Sequence, residues 1–419
     1  MTSEESSQPE ASGPLRGVRV LDLSRVLAGP TCTQTLGDLG ADVVKLERPG
    51  AGDDTRGWGP PFVHDADGAR TDLSAYFLAA NRNKRSIAID LASDEGVALT
   101  QRLVAKADVV VENFKVGDLA RRGLDAASLL AAHPHLVVCS ITGFGQTGPR
   151  AGEAGYDFLA QAMGGLMSLT GEIDGAPTKV GVGIADVVTG LYATIGVLAA
   201  LAEVRRSGRG QHVDVALYDA QLAWLVNAAT TTFLTGAPPR RHGNAHPSIV
   251  PYQTFPSADG EVALACGNDG QFATLAEVLG EPALAADARF ATNRGRVEHR
   301  EALVPILARL FRARPTEAWI DALVPRGVPI GPVRTVAEAF ADPQAIARAM
   351  RVEMPSALAA SGHVSLIGSP IKLSETPVAY RTSPPSLGEH GPEVLRDWLG
   401  VDDAELAALA MRGAFRSRR

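Results

Sequence analysis

A single acid interrupts the apolar stretch VGVGIADVVTGLYATIGVLAAL at 180–201, and that acid is Asp186. Around it Val187, Val188, Leu191, Tyr192, Ile195 and Leu198 recur with a helical period. The gaps hold Thr, Gly and Ala, so the spacing predicts a helix buried on most sides with Asp186 at its N-terminus. Two compatible roles fit that position. As an N-cap, the carboxylate accepts the orphan N–H groups of the first turn. As a nucleophile, a poorly solvated carboxylate attacks an activated carbonyl. Its reference pKa is about 3.9, so burial has to raise it by about three units before the acid is neutral at pH 7. A helix N-terminus opposes part of that rise, and the expectation is an ionised Asp186.

A second group with chemical potential is basic: Arg25, Arg48, Lys84, Arg85, Arg121 and Arg122 fall near the ends of early apolar runs. They read either as a solvated face or as a pocket for phosphates, which guanidinium groups bind in bidentate fashion. Glycines crowd the segment MGGLMSLTGEIDG at 163–175. They are either turns or a place where backbone N–H groups approach an oxyanion.

The elements that must position these groups alternate. From Gly17 the chain reads strand (GVRVLDL), helix (GPTCTQTLGDLG) and strand (ADVVKLER), then SIAIDL, the helical DEGVALTQRLVAKA, DVVVENF, further helices to Ala132, and LVVCSITGFG. Repeated strand–helix–strand units predict a parallel α/β sheet covered by helices. Ligands of such sheets bind beyond the carboxyl ends of the strands, which singles out Ser24 to Gly29, Arg48, Asn113 to Lys115 and Thr142 to Gly145. No Walker pattern occurs, which argues against ATP binding. After the Asp186 helix come the strand QHVDVALYD and another apolar helix. TTTFLTGAPPRRHGNAHPS then reads as a linker, and YQTFPSADGEVALACG as a hairpin opening a smaller unit.

The chain has 419 residues, 45% of them hydrophobic and 21% charged, as expected of a two-domain globular enzyme. A formal net charge of -7 supplies no basic field for nucleic acid or anionic lipid. Cys32, Cys139 and Cys266 lack paired spacing, against a disulfide framework or zinc site and in favour of a reducing, cytoplasmic setting. The opening MTSEESSQPEASG lacks the basic and apolar regions of a signal peptide and reads as a disordered tail. No run of about 18 uninterrupted apolar residues is present to span a membrane.

Five segments carry a resemblance: LDLSRVLAGPTCTQTLGDLGADVVKLERPGAGDDTRGW, NRNKRSIAIDL, VENFKVGDLARRGL, GYDFLAQAMGGLMSLTG and GIADVVTGLYATIGVLAAL. Together they resemble the class III (CaiB/BaiF-type) CoA-transferases, relatives of formyl-CoA transferase, carnitine CoA-transferase and the α-methylacyl-CoA racemases. The resemblance implies that Asp186 is the nucleophile. It implies that Val26, Leu27 and Ala28 line a CoA channel, that Arg48 meets the nucleotide end, and that Ile89, Asn113, Phe114, Lys115 and Arg121 complete the site. It further implies a Rossmann-like large domain formed by both chain ends (15–229 and 336–419), a smaller middle α+β domain (251–335) after a linker at 230–250, and an interlocked homodimer. CoA thioesters would be substrates, with no permanently bound cofactor and no metal.

Leu27 stands where formyl-CoA transferase has Gln, and the glycine-run loop of that enzyme has no counterpart, which argues against formyl and oxalyl transfer. GNAHPSIVPYQTF and GNDGQFATL resemble members that use succinyl-CoA and a dicarboxylic acid. On that reading Arg240, Arg241 and His246 are candidates for a distal carboxylate. Tyr156 replaces the His that the racemases need as an acid/base, and Asp157 beside it either supports the site or starts a helix. Racemase activity and non-catalytic acyl-CoA binding are the alternatives.

Overall fold

The computed structural model describes residues 13–416; residues 1–12, most of the expected tail at 1–14, lie outside the described residues. The chain forms two compact units. The first takes in the described parts of Met1–Leu166, Val180–Ala229 and Ile346–Arg419, and the second Met167–Lys179 and Thr230–Ala345.

The first unit is built on a six-stranded parallel sheet. Its strands are β1 (Arg19–Asp22), β2 (Asp42–Glu47), β5 (Lys84–Ala88), β6 (Val109–Glu112), β7 (Val137–Thr142) and β8 (His212–Ala216), in the spatial order β5-β2-β1-β6-β7-β8. Between β2 and β5 the chain makes a hairpin of β3 (Phe62–His64) and β4 (Arg70–Ser74). The helices of this part are α1 (Ala28–Asp38), α2 (Ala75–Leu78), α3 (Asp94–Val104), α4 (Ala126–Ala132), α5 (Asp157–Met163), α7 (Ile184–Ser207), α8 (Leu217–Ala223) and the start of α9 (Val226–Thr235); α6 (Leu166–Leu169) falls mostly in the second unit.

The strands are near-continuous apolar runs because both faces of the sheet are covered. Alternate residues serve opposite sides. Leu21, Val44, Ile87, Val110 and Val138 pack with Leu99, Leu103 and Trp398, while Val20, Val43, Val109, Val137 and Cys139 pack with Leu36, Ala193 and Val197. The C-terminal segment completes the unit: Arg85 at the start of β5 pairs with Glu393 and Asp397, and Arg416 bridges to Ala88.

The second unit carries the antiparallel strands β9 (Tyr252–Pro256), β10 (Glu261–Ala265) and β11 (Ile330–Pro332) in the order β11-β10-β9. The Ser-Ala-Asp-Gly turn forms the expected hairpin, pairing Tyr252 with Ala265 and Pro256 with Glu261. This unit is wider than 251–335 because the expected linker folds with it. Its first residues finish α9, Arg241 donates to the carbonyls of Glu172 and Gly175, and Asn244 Nδ2 donates to Thr254 Oγ1 at 3.1 Å. Back in the first unit, β12 (Arg351–Pro355) and β13 (His363–Ile367) pair antiparallel.

Two expectations change in detail. The strand QHVDVALYD ends at Ala216, and Leu217–Asp219 already belong to α8; no Gly or Pro marks that join. The helix carrying Asp186 is not buried on most sides. It packs on α1, α5, α8, β7 and β8, but Leu191, Tyr192 and Ile195 are 46%, 41% and 61% exposed. By length and composition α7 is apolar enough to cross a membrane, and half of its most apolar window is buried inside the protein.

Candidate active site

Strand order changes direction at β1, which has β2 on one side and β6 on the other. A crevice at such a switch point is where ligands of open α/β sheets bind. Two cavities lie there and share Arg25 and Phe114. The larger, about 470 Å³, is lined by Val26, Leu27, Ala28, Asn113, Phe114, Lys115, Trp58, Tyr156, Asp157 and Asp186, among others. The smaller, about 330 Å³, is lined by Arg48, Ile89, Leu91, Lys45, Asp53 and Asp118.

The turn after β1 forms one wall of the larger cavity, and side chains from other strand ends hold its backbone. Lys45 on β2 donates to the Ser24 carbonyl at 2.8 Å. Asn113, after β6, accepts from the Arg25 N–H at 2.9 Å and donates to the Arg25 carbonyl at 2.8 Å. Asp53 accepts from the Val26 N–H at 3.1 Å, and its carboxylate lies 2.9 Å from Lys45 Nζ, both side chains being fully buried. Burial pushes Asp53 up, but the Lys45 charge and the bonds from Thr55 outweigh it and hold the carboxyl below its usual range. Val26 has φ 72, a left-handed backbone that a β-branched residue rarely adopts. Leu27 then opens α1, which has no side-chain cap.

Asp186 is the third residue of α7, not its cap; Gly183 occupies the N-cap position and makes no side-chain cap bond. The capping is done by Asp157. Its Oδ1 accepts from the N–H of Ala185 at 2.8 Å and that of Asp186 at 3.4 Å, while its Oδ2 accepts from Gln161 Nε2 at 2.7 Å. Gln161 in turn accepts from the Val180 N–H at 2.8 Å. The Asp186 carboxylate is left with no hydrogen bond or ion pair among the described residues. Burial, and then the Asp157 charge, push it up to about 7. The expectation is an ionised acid; desolvation, and then the Asp157 carboxylate already at the helix terminus, bring its pKa towards neutrality instead.

The basic cluster divides. Arg25 and Lys115 line the larger cavity and Arg48 the smaller. Lys84 and Arg85 open β5 rather than follow it, so they start from the amino end of their strand: Lys84 is fully buried against Asp22, and Arg85 is held by Asp42, Glu393 and Asp397. Arg122 donates to the Leu91 and Asp118 carbonyls. Arg121 lines neither cavity; its side chain is exposed and paired with Asp118, which does line the smaller one. Gly164 and Gly165, read as possible oxyanion partners, lie against Gln221 and Leu225 instead.

In the second unit Arg241 is occupied by two backbone carbonyls and His246 Nδ1 accepts from the Ser248 N–H, whereas Arg240 is exposed. A cavity of about 550 Å³ in that unit is lined by His242 and Arg300, which the sequence did not single out. Burial and the charges of Arg300, Arg240 and His246 hold the His242 imidazole below its usual range. Tyr76 and Trp58 were also missed. Their rings meet edge-to-face at 5.1 Å, and burial followed by the charges of Asp186 and Asp157 raise the Tyr76 hydroxyl. Among the described residues no group of three or more His, Cys, Asp or Glu could hold a metal.

A parallel α/β sheet, a crevice at its switch point and an unpaired, half-buried Asp at the start of an apolar helix agree with one known family. The model of CoA-transferase family III matches residues 15–391, and the chain belongs to that family: it is a class III CoA-transferase. Among its relatives, the succinate–glutarate CoA-transferase of Agrobacterium fabrum is 49% identical over 393 residues, 94% of this chain and 97% of that one. The human succinyl-CoA:glutarate CoA-transferase is 41% identical over 400 residues, 96% and 89% of the two chains. The crystal structure of a CAIB/BAIF family protein from Brucella suis matches with a TM-score of 0.82 at 48% identity, covering 92% of this chain and 100% of that one.

Proposed function

We propose that this enzyme moves CoA from succinyl-CoA to a short dicarboxylic acid, with Asp186 as the covalent nucleophile. The observation that carries the mechanism is the Asp186 carboxylate: it faces the larger cavity with no partner, while Asp157 takes the helix-capping role. Asp186 attacks the donor thioester carbonyl, expelling CoA thiolate and forming a mixed anhydride. The thiolate then attacks the Asp186 carbonyl of the anhydride, releasing the donor acid and leaving an aspartyl-CoA thioester. The acceptor carboxylate attacks that thioester, again expelling thiolate, and the thiolate attacks the acceptor's acyl carbonyl to give the new acyl-CoA and free Asp186. The thioester supplies its own activation, so no step calls on a metal, redox group or permanent cofactor.

The relatives' names support succinyl-CoA and glutarate-like acids as substrates. A guanidinium of the second unit, among Arg240, Arg241 and Arg300, is the proposed partner of the acceptor's distal carboxylate. Arg241, His246 and Arg300 hold backbone, which makes Arg240 the sharper test. Neutralising it raises KM for dicarboxylate acceptors by about tenfold, one lost charge-assisted bond, and leaves KM for monocarboxylates within about twofold. Steady-state assays with paired acids of equal length decide it; an unchanged ratio removes Arg240 from acid selection.

Val26, Leu27, Ala28, Asn113, Phe114 and Lys115 form the proposed channel for the pantetheine arm, and Arg48 and Ile89 the proposed nucleotide end. The uncovered apolar residues Leu191, Tyr192 and Ile195 support an interlocked homodimer. Three buried free cysteines support a cytoplasmic setting.

A pH prediction follows from Asp186. Only its ionised form attacks, and its pKa stands at about 7 in the free enzyme. For the donor thioester, kcat/KM therefore falls about tenfold per pH unit below that value and levels off above it. Asp157→Asn removes the repelling charge while keeping an acceptor for the Ala185 N–H, and moves this limb to lower pH. A rate independent of pH between 5 and 8 contradicts the assignment. Racemisation is not expected, since Tyr156 stands where the racemases have the His that acts as acid/base. A 2-methylacyl-CoA held with the enzyme in deuterated water takes up no α-deuterium beyond the uncatalysed rate; rapid uptake, read by mass, points to the racemase alternative.

A further inference from the structure

Resting on the transferase reading above, we propose that Asp53, anchored by Lys45, is a positioning residue: it locks Val26 in a left-handed backbone and so fixes the turn that delivers the uncapped start of α1 to the Asp186 cavity. Asp53 is not itself part of that cavity. It lies in a buried network beneath it, where its carboxylate meets Lys45 Nζ at 2.9 Å, accepts from Thr55 N and Oγ1 at 3.0 and 2.8 Å, and takes the Val26 N–H at 3.1 Å. Its own N–H donates to Glu47 Oε2 at 3.0 Å, so the anchor is tied to β2 at two points.

The observation that requires an anchor is the backbone of Val26. A β-branched residue at φ 72 is unfavourable and persists only when its surroundings impose it. Glycine or asparagine would take that conformation readily, yet the sequence has Val. The flanking bonds supply the imposition: Lys45 on the Ser24 carbonyl, Asn113 on both polar groups of Arg25, and Asp53 on Val26. Three polar side chains thus fix three consecutive residues, and the next two, Leu27 and Ala28, line the cavity with Asp186. A fixed approach of a reacting group matters steeply, since a misplacement of about 1 Å can cost about 100-fold in rate.

The test is a double-mutant cycle in transfer kinetics. Asp53→Asn lowers kcat by about 30-fold with KM for the donor changed by less than about threefold, because the carboxylate is fully buried and spends its bonds on Lys45, Thr55 and Val26, so that placement is what is lost. In a Val26→Gly background, where the turn is already free to relax, the same substitution costs less than about threefold. Equal costs in the two backgrounds overturn the inference, since Asp53 would then act through the fold and not through Val26. Should Asp53→Asn not fold, the Val26 pair decides alone. Val26→Gly lowers kcat at least about fivefold more than Val26→Ala, which keeps the β-carbon, while melting no lower; equal kcat values overturn the inference. Asp186→Ala in the same assay separates the two levels. If that variant transfers CoA at the wild-type rate, the reading of the site fails; if it is inactive and the cycle is additive, only the role of Asp53 falls.

Discussion

Asp186→Ala abolishes CoA transfer, with kcat falling by at least about 10⁴-fold, while the protein stays folded. The size follows from the role: with a covalent nucleophile removed, little remains beyond binding and electrostatics. The persistence of the fold follows from the geometry, because Asp157 and not Asp186 caps α7. Stability should in fact improve at neutral pH. The folded pKa of Asp186 is about 7 and its ordinary value 3.8, so the folded state holds the proton more tightly and loses stability as pH rises between those values. At about 1.4 kcal/mol per unit, the ionised carboxylate costs up to about 4 kcal/mol above pH 7. The Ala variant therefore melts higher than wild type at pH 8, and the gap closes towards pH 4. Melting below wild type at pH 8 would show that Asp186 has a structural partner.

Arg56→Met is expected to produce the largest loss of stability. The Arg56 guanidinium is buried, donates to both Glu47 oxygens at 2.7 Å, reaches Asp72 at 3.0 Å and the Pro385 carbonyl at 3.1 Å, and lies 3.8 Å over the Phe77 ring. It therefore joins the end of β2, the β4 strand and the C-terminal segment. Truncating one partner strands Glu47 in the interior, at a cost of about 3–5 kcal/mol. The melting temperature drops by about 5 °C at pH 8. Burial raises Glu47, but the Arg56 charge and bonds overcome it and hold its pKa below the ordinary value. The contribution of the pair is thus present above the unfolded pKa of Glu and lost as pH falls below it. In the variant the stranded Glu47 takes up a proton readily, so the loss is smaller at pH 5 than at pH 8. An equal loss at both values would place the cost in packing on Phe77 instead.

How much of this was legible in the sequence depends on the kind of signal. The sheet was legible because parallel strands buried on both faces are written as apolar runs, and the helices between them have their own period; β1, β2, β6 and β7 fall inside the segments that show it. The wall of the larger cavity was legible in part, since residues just after strand ends gather at a switch point wherever the sheet is parallel. Lys84 and Arg85 misled because they were grouped with residues that follow strands, whereas they precede the apolar run SIAIDL and so open β5 at its amino end. Asp186 was placed at the start of the right helix, and only the cap among its two readings goes to another residue, because capping by Asp157 is a contact between residues 28 positions apart that no local pattern encodes. The left-handed Val26 left no trace at all, as the residue type argues against the conformation that the surrounding ion pair imposes.

The central claim is that CoA is carried covalently on Asp186, and trapping tests it most directly. The enzyme is mixed with succinyl-CoA without acceptor, quenched with hydroxylamine, digested and mapped by mass. A hydroxamate forms on Asp186 in stoichiometric amounts, and is absent when CoA thioester is omitted and absent in Asp186→Ala. Active enzyme whose Asp186 remains unmodified, or a hydroxamate on another carboxylate, would contradict it.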